Sequence, residues 1–209
     1  MTSNILQTTK EPEQDVILVS GYKRSGKDTT AKMIKEIIEE STSQKVEIMS
    51  FAEPLKFIAK TIFGISDEQL DEYKNNYRGI YYYDDSNELD ILTNFREVLT
   101  KIGSDALKPI FGDDVWVKVI KEKMLKSDAD VIIIPDFRFL VENAFKNSVT
   151  IRIVNYDIVN DSSHPSEIEL DNFVFDYYLN NTRHRLNKEV IKEDMNNQID
   201  NKKQEIANG

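Results

Sequence analysis

Nine consecutive residues, Gly21-Tyr22-Lys23-Arg24-Ser25-Gly26-Lys27-Asp28-Thr29, carry the spacing G-x-x-x-x-G-K. Chains use this spacing to wrap backbone N–H groups around phosphate oxygens. The two glycines let successive amides turn inward, a following helix N-terminus adds partial positive charge, and Lys27 can reach the β and γ phosphates of a nucleoside triphosphate. Gly21, Ser25, Gly26, Lys27, Asp28 and Thr29 are therefore the candidates for holding ATP. The position after the lysine usually offers a Ser or Thr hydroxyl to Mg²⁺; here it is Asp28, with Thr29 next. Asp28 could hold Mg²⁺ directly or through water, orient an acceptor near the γ-phosphate, or simply be an acidic residue in the first turn of a helix. The direct metal ligand is left open between Asp28 and Thr29.

A second group of polar residues follows a run of four β-branched residues, Val131-Ile132-Ile133-Ile134, in Pro135-Asp136-Phe137-Arg138 with Glu142 four residues on. A carboxylate at such a strand tip can enter a Mg²⁺ shell, so Asp136 joins Asp28 and Thr29 as a metal candidate. Arg138 offers paired donors to bridge two phosphates and joins Lys27 and Asp28 as a candidate catalytic residue. Glu142 could orient that arginine or accept from a sugar hydroxyl. The plainer alternative is a helix cap at Asp136 with an exposed Arg138/Glu142 pair. Arg96 and the lone tryptophan, Trp116, could clamp an acceptor phosphate and stack on a base, or be a solvated arginine and a core tryptophan. His164 and His184 lack metal-ligand spacing with each other or with any cysteine. The Tyr81-Tyr82-Tyr83 run could wall a loop or simply pack.

These residues need a strand before the loop and a helix after it, and the pattern supplies both. Val16-Ile17-Leu18-Val19 is a continuous apolar run of the kind found in a parallel strand buried on both faces. After Gly26, Ala31, Ile34, Ile37 and Ile38 share one helical face. Lys45 to Ser50 alternates as a strand, and Glu53 to Phe63 reads as a helix with Pro54 in its first turn and Gly64 as its stop. Residues 67–126 hold no convincing strand, so the spacing predicts a helical, acceptor-binding insertion there. With 131–136, Val149 to Val154 and Phe173 to Leu179 as further strands, the expectation is a three-layer αβα fold of the P-loop NTPase type with a five-stranded, mostly parallel sheet. Residues 15–184 form the single domain, 1–14 a flexible N-terminus and 185–209 a polar tail that is a loose helix or frayed.

Composition narrows the function. With 27 Lys+Arg against 37 Asp+Glu the net charge is −10, which argues against a nucleic-acid polymer as partner, because such affinity comes from basic side chains neutralising phosphates. A small anion held by local amides remains compatible. No stretch approaches the ~20 apolar residues of a membrane helix. The polar start and the absence of cysteine suit the cytoplasm, which would be a host's cytoplasm for a phage or viral source.

Taken in order, Gly-Lys-Asp-Thr at 26–29, Ser50-Phe51-Ala52-Glu53-Pro54-Leu55-Lys56, Phe95-Arg96-Glu97 with Ile102-Gly103, Trp116, Pro135-Asp136-Phe137-Arg138 with Glu142, and His164-Pro165-Ser166-Glu167 resemble the phage-type deoxynucleoside monophosphate kinases over roughly residues 15 to 181. The resemblance implies Mg-ATP as donor and deoxynucleoside monophosphates as acceptors. It implies catalysis by Asp28 with Arg138, an acceptor phosphate gripped by Arg96, a base beside Trp116, and Asp136, Arg138 and Glu142 in the acceptor pocket with Phe51 and Lys56. Glu97 stands where that pattern has a second basic residue. The chain is compact for the family, so part of the insertion could be trimmed or supplied by a homodimer partner. Competing readings are a kinase of another phosphorylated metabolite, of the phosphomevalonate kinase type, and a nucleotide-binding protein without transfer activity.

Overall fold

The computed structural model describes residues 11–75, 80–83, 89–92, 95–159 and 165–208; the side chains of 71, 74–75, 80–83, 89–92, 96 and 200–208 lie outside that description. The chain divides into two compact units, one made of the chain up to Ser50 together with Ile120 onward, the other of Phe51–Val119.

In the first unit the strands are β1 (Asp15–Ser20), β2 (Val46–Ile48) and, after the second unit, three more. The elements of that second unit are helices α2 (Ala52–Phe63) and α3 (Asp67–Asn75), strands β3 (Ile80–Tyr83) and β4 (Leu89–Leu92), and helices α4 (Phe95–Thr100) and α5 (Lys108–Phe111). Helix α6 (Val115–Met124) then precedes β5 (Val131–Ile134), β6 (Ser148–Val154), the short α7 (Pro165–Ile168), β7 (Tyr177–Asn180) and α8 (Lys188–Asn208), while α1 (Lys27–Ser41) follows β1. The sheet runs β2-β5-β1-β6-β7, and every pairing is parallel. The expected α/β fold with a five-stranded sheet flanked by helices is present, all-parallel rather than mostly parallel.

Parallel pairing puts the carboxyl ends of all five strands along one edge, where α/β folds gather ligand-binding loops. The loop after β1, Pro135 to Arg138 after β5 and Asn181 after β7 thus share that edge. β1 sits between β5 and β6, with Ile17 opposite both Ile133 and Val149, which explains why its sequence is apolar on both faces. On one face Val19, Ile133, Ile151, Ile153 and Leu179 pack with Ala31 and Ile34 of α1 and with Leu186 and Ile191. The alternate residues Leu18, Ile132 and Ile134 are fully buried too.

Three expectations change. Residues 185–209 hold the helix that one of the two readings expected, but it is docked rather than loose: α8 runs 21 residues, and Ile191 is 1% exposed in the core. The expected insertion at 67–126 is instead a unit of Phe51–Val119, and it contains the antiparallel β3–β4 pair; four-residue strands are too short for a period of two to stand out. The last strand covers Tyr177–Asn180 rather than 173–179, because Phe173 and Phe175 instead form an aromatic cluster with Phe137.

In the second unit Ala59, Leu70, Phe95 and Val98 form the core. The α4 helix passes directly into a seven-residue π-helical stretch, Lys101–Leu107. Gly103 is buried there, and a Cβ at that position would lie 3.0 Å from Leu55 Cδ2. Among the described residues, no helix is long and apolar enough to cross a membrane.

Candidate functional site

The loop between β1 and α1 depends on its two glycines. Gly21 has φ 153°, and a Cβ there would come within 2.6 Å of Ser25 Oγ and 2.7 Å of the Ile153 carbonyl. Gly26, the residue before α1, has φ 97°, and its Cβ would meet Asn181 Nδ2 at 2.3 Å. That amide donates to the Ser25 carbonyl at 2.8 Å, and Asn181 Oδ1 accepts from Leu186 N–H at 3.3 Å. Asn181 therefore locks the loop from the end of β7. Ser25 is 1% exposed, and its hydroxyl has no hydrogen-bond partner in the structure. A buried hydroxyl without a partner costs about 1–3 kcal/mol, so an acceptor oxygen on a ligand would gain by meeting it.

Lys27 opens α1 and is buried. Its Nζ donates to the Gly21 carbonyl at 2.6 Å and the Tyr22 carbonyl at 2.8 Å. Burial, reinforced by the nearby Arg138 and Arg152 charges, pulls its pKa down to about 8, while Glu167 and Asp28 work in the opposite direction. Removing water from an ammonium disfavours its charged form, which a phosphate would restore.

Arg138 reaches the same place by a turn that Glu142 builds. The Glu142 carboxylate, 5% exposed, accepts the backbone N–H of Arg138 at 2.7 Å and of Phe139 at 3.0 Å. It holds the arginine's backbone and lies buried in that turn, which is the orienting task expected of it and not the exposed ion pair that spacing also allowed. The Arg138 guanidinium pairs with Glu167 Oε1 and lies 3.4 Å from the Ser166 carbonyl. Glu167 Oε2 accepts the Lys23 N–H of the loop at 3.2 Å. Burial would raise the Glu167 pKa, but the Arg138 charge and these hydrogen bonds bring it below the usual carboxylate range.

A second arginine was not foreseen. Arg152 on β6 donates to Ser20 Oγ at 3.0 Å and to Asp171 Oδ1 at 3.3 Å, and lies over the Tyr22 ring at 4.7 Å from its centroid. Tyr22 Oη donates to the same Asp171 oxygen at 2.8 Å. The set fixes the loop's second residue, whose carbonyl takes Lys27. Its sequence signal is weak: an arginine inside an apolar strand, in register with Ser20, has to be facing a partner.

The other candidates divide between the units. Asp136 accepts from Ser50 Oγ at 2.7 Å, and Asp28 and Thr29 are exposed at the start of α1. Among the described residues no group of three or more acidic, histidine or cysteine side chains could hold a metal ion. Asp28, Thr29 and Asp136 would fit Mg²⁺ only as additions to a shell supplied mainly by phosphate oxygens. His184 lines a cavity of about 120 Å³ with Gly26, Thr29, Thr30, Met33 and Asn181, beside the α1 N-terminus. In the second unit Phe51 is 4% and Trp116 8% exposed, with Trp116 Cζ2 3.7 Å from a Cβ placed on Gly103. Trp116 is thus a largely buried tryptophan beside the π-helical stretch. Lys56 is half-buried on α2, the Arg96 side chain lies outside the described residues although its backbone is in α4, and His164 lies outside them altogether.

No protein-family profile matches the chain, and no curated protein matches its sequence significantly. Among solved structures, the crystal structure of TT1252 from Thermus thermophilus aligns over 83% of this chain and 90% of its own at 14% identity, with a TM-score of 0.42, a likeness too distant to inform either the site or its use.

Proposed function

We propose that the chain is a P-loop kinase that transfers the γ-phosphoryl group of Mg-ATP to a deoxynucleoside monophosphate, giving a diphosphate and ADP. One observation carries the reading: a glycine-dependent loop with a buried Ser25 hydroxyl that has no hydrogen-bond partner lies beside the buried Lys27, close enough to Arg138 for the two cationic side chains to repel. Two cations beside inward-turning amides suit a polyphosphate, and phosphoryl transfer asks chiefly for positioning and charge stabilisation.

In this reading an oxygen of the acceptor phosphate attacks the γ-phosphorus, and the bond to the bridging β–γ oxygen breaks with its electron pair leaving on ADP. The acceptor has a second pKa of about 6, so no residue has to remove a proton. Lys27 spans the β and γ phosphates. Arg138, held by Glu142, neutralises charge on the transferring group, and Asp28 orients the acceptor or the metal shell. Mg²⁺, carried in by the phosphates and touched by Asp28, Thr29 or Asp136, would supply further charge neutralisation.

The acceptor's identity rests on the resemblance of the ordered motifs. The burial of Trp116 favours, as a second reading, a phosphorylated metabolite without a base, such as phosphomevalonate. ADP formation from Mg-ATP with each deoxynucleoside monophosphate, ribonucleotide controls and phosphomevalonate tests both. Turnover that requires a deoxynucleotide and disappears in Lys27→Ala supports the first; turnover with phosphomevalonate alone replaces it, and no acceptor-dependent turnover refutes both.

A further inference from the structure

Building on the proposed function, we infer that Glu167 is an internal competitor for the donor-phosphate site, and that a triphosphate binds by displacing its carboxylate from the Lys23 amide and the Arg138 guanidinium. The two oxygens of that carboxylate take the donors a phosphate would need. Oε2 accepts the loop N–H of Lys23 and Oε1 the guanidinium of Arg138. An anionic group with two oxygens spanning a loop amide and an arginine reproduces how a phosphate binds.

Space agrees with chemistry. The pocket bounded by Ser20, Gly21, Phe137, Arg138, Arg152 and Glu167 retains about 10 Å³, room for one water at most. A phosphate that takes both donors now held by Glu167 has to displace that side chain. Glu167 also stands among the groups that hold Lys27's proton on, a role a γ-phosphate would take over. The segment carrying it has independent attachments, because Glu169 Oε1 accepts the Leu140 N–H at 2.8 Å and Asp171 accepts from Tyr22 and Arg152. Exchange of the Glu167 carboxylate therefore leaves the backbone around it anchored.

A residue whose purpose is to orient Arg138 would behave in the opposite way, since its loss would weaken phosphate binding. The test is the dissociation constant of Mg-ATP, and of inorganic tripolyphosphate, for the native chain and for Glu167→Gln. Competition predicts binding roughly five- to thirty-fold tighter in the variant, the effect of removing one charge-assisted pair. Equal or weaker binding in Glu167→Gln, with the native chain still binding, overturns this inference and leaves the kinase reading standing. Failure of both proteins to bind either ligand overturns both. A measurement on the native chain guards against misfolding of the variant: with ¹³C-labelled glutamate carboxyls, saturation by tripolyphosphate must shift the Glu167 resonance, and an unmoved resonance at saturation counts against displacement.

Discussion

Gly26→Ala and Asn181→Ala should be strongly non-additive. An alanine at φ 97° lies outside its comfortable backbone regions, which costs about 1–2 kcal/mol. Its Cβ would also sit 2.3 Å from Asn181 Nδ2, so the amide must swing away, losing its bonds to the Ser25 carbonyl and the Leu186 N–H. Each such bond contributes about 1 kcal/mol, and leaving a buried backbone group unpaired raises the loss to about 1–3 kcal/mol. The single Gly26→Ala change should therefore cost about 3–5 kcal/mol, and Asn181→Ala about 2–3 kcal/mol by forfeiting the same bonds. In the Asn181→Ala background the clash and the bonds are already gone, so adding Gly26→Ala should cost only the backbone strain, about 1–2 kcal/mol. Urea unfolding of the four proteins in the cycle, read as midpoint and slope, gives the coupling. Additivity within about 0.5 kcal/mol would refute the claim that Asn181 is what Gly26 makes room for.

Binding of Mg-ATP should take up protons through Lys27. Its pKa of about 8 lies below the ordinary 10.5, and triphosphate favours the ammonium, so calorimetry in buffers of differing ionisation enthalpy should report about half a proton taken up at pH 8 and about a tenth at pH 7, and none in Lys27→Met. The same depression means that the unfolded chain holds more protons at Lys27 from about pH 8 to 10.5; relative to Lys27→Met, native stability should rise with pH across that window. Glu142→Ala, which abandons the N–H groups of Arg138 and Phe139, should lower unfolding free energy by about 2–4 kcal/mol and Glu142→Gln by less. If Arg138 acts in transfer, thermal melts and turnover of the two variants should fall in the same order.

The loop was legible because its geometry is local: glycine spacing, a buried strand before and an amphipathic helix after lie within residues 15–41. β1 and β5 announced themselves by burial on both faces. Glu142 was found by its distance from Arg138, yet spacing alone could not distinguish an ion pair between side chains from a carboxylate seizing backbone N–H groups. Glu167 entered through a motif without a stated task, and Arg152 and Asp171 not at all. Their partners are far away in sequence: Lys23 lies 144 residues from Glu167, and Tyr22 149 from Asp171. The docking of the C-terminal helix was missed because its hydrophobic face is confined to a few positions, Val190, Ile191 and Met195 among them, and tertiary contact rather than amphipathic strength makes it stable.

The interleaving of the chain bears on how the protein reaches this structure. β1 finds its neighbours more than a hundred residues later, in β5 and β6, and the loop's lock, Asn181, comes later still. Such distant pairings must meet a large loop-closure entropy before any contact offsets it, which slows folding. During synthesis from the N-terminus the strand that carries the phosphate loop emerges early and waits, its apolar edges unpaired, while Phe51–Val119 is a continuous stretch whose internal contacts need nothing from later residues. The anion site would then be among the last parts to form, and a ribosome-bound chain ending before residue 181 should not yet hold a polyphosphate.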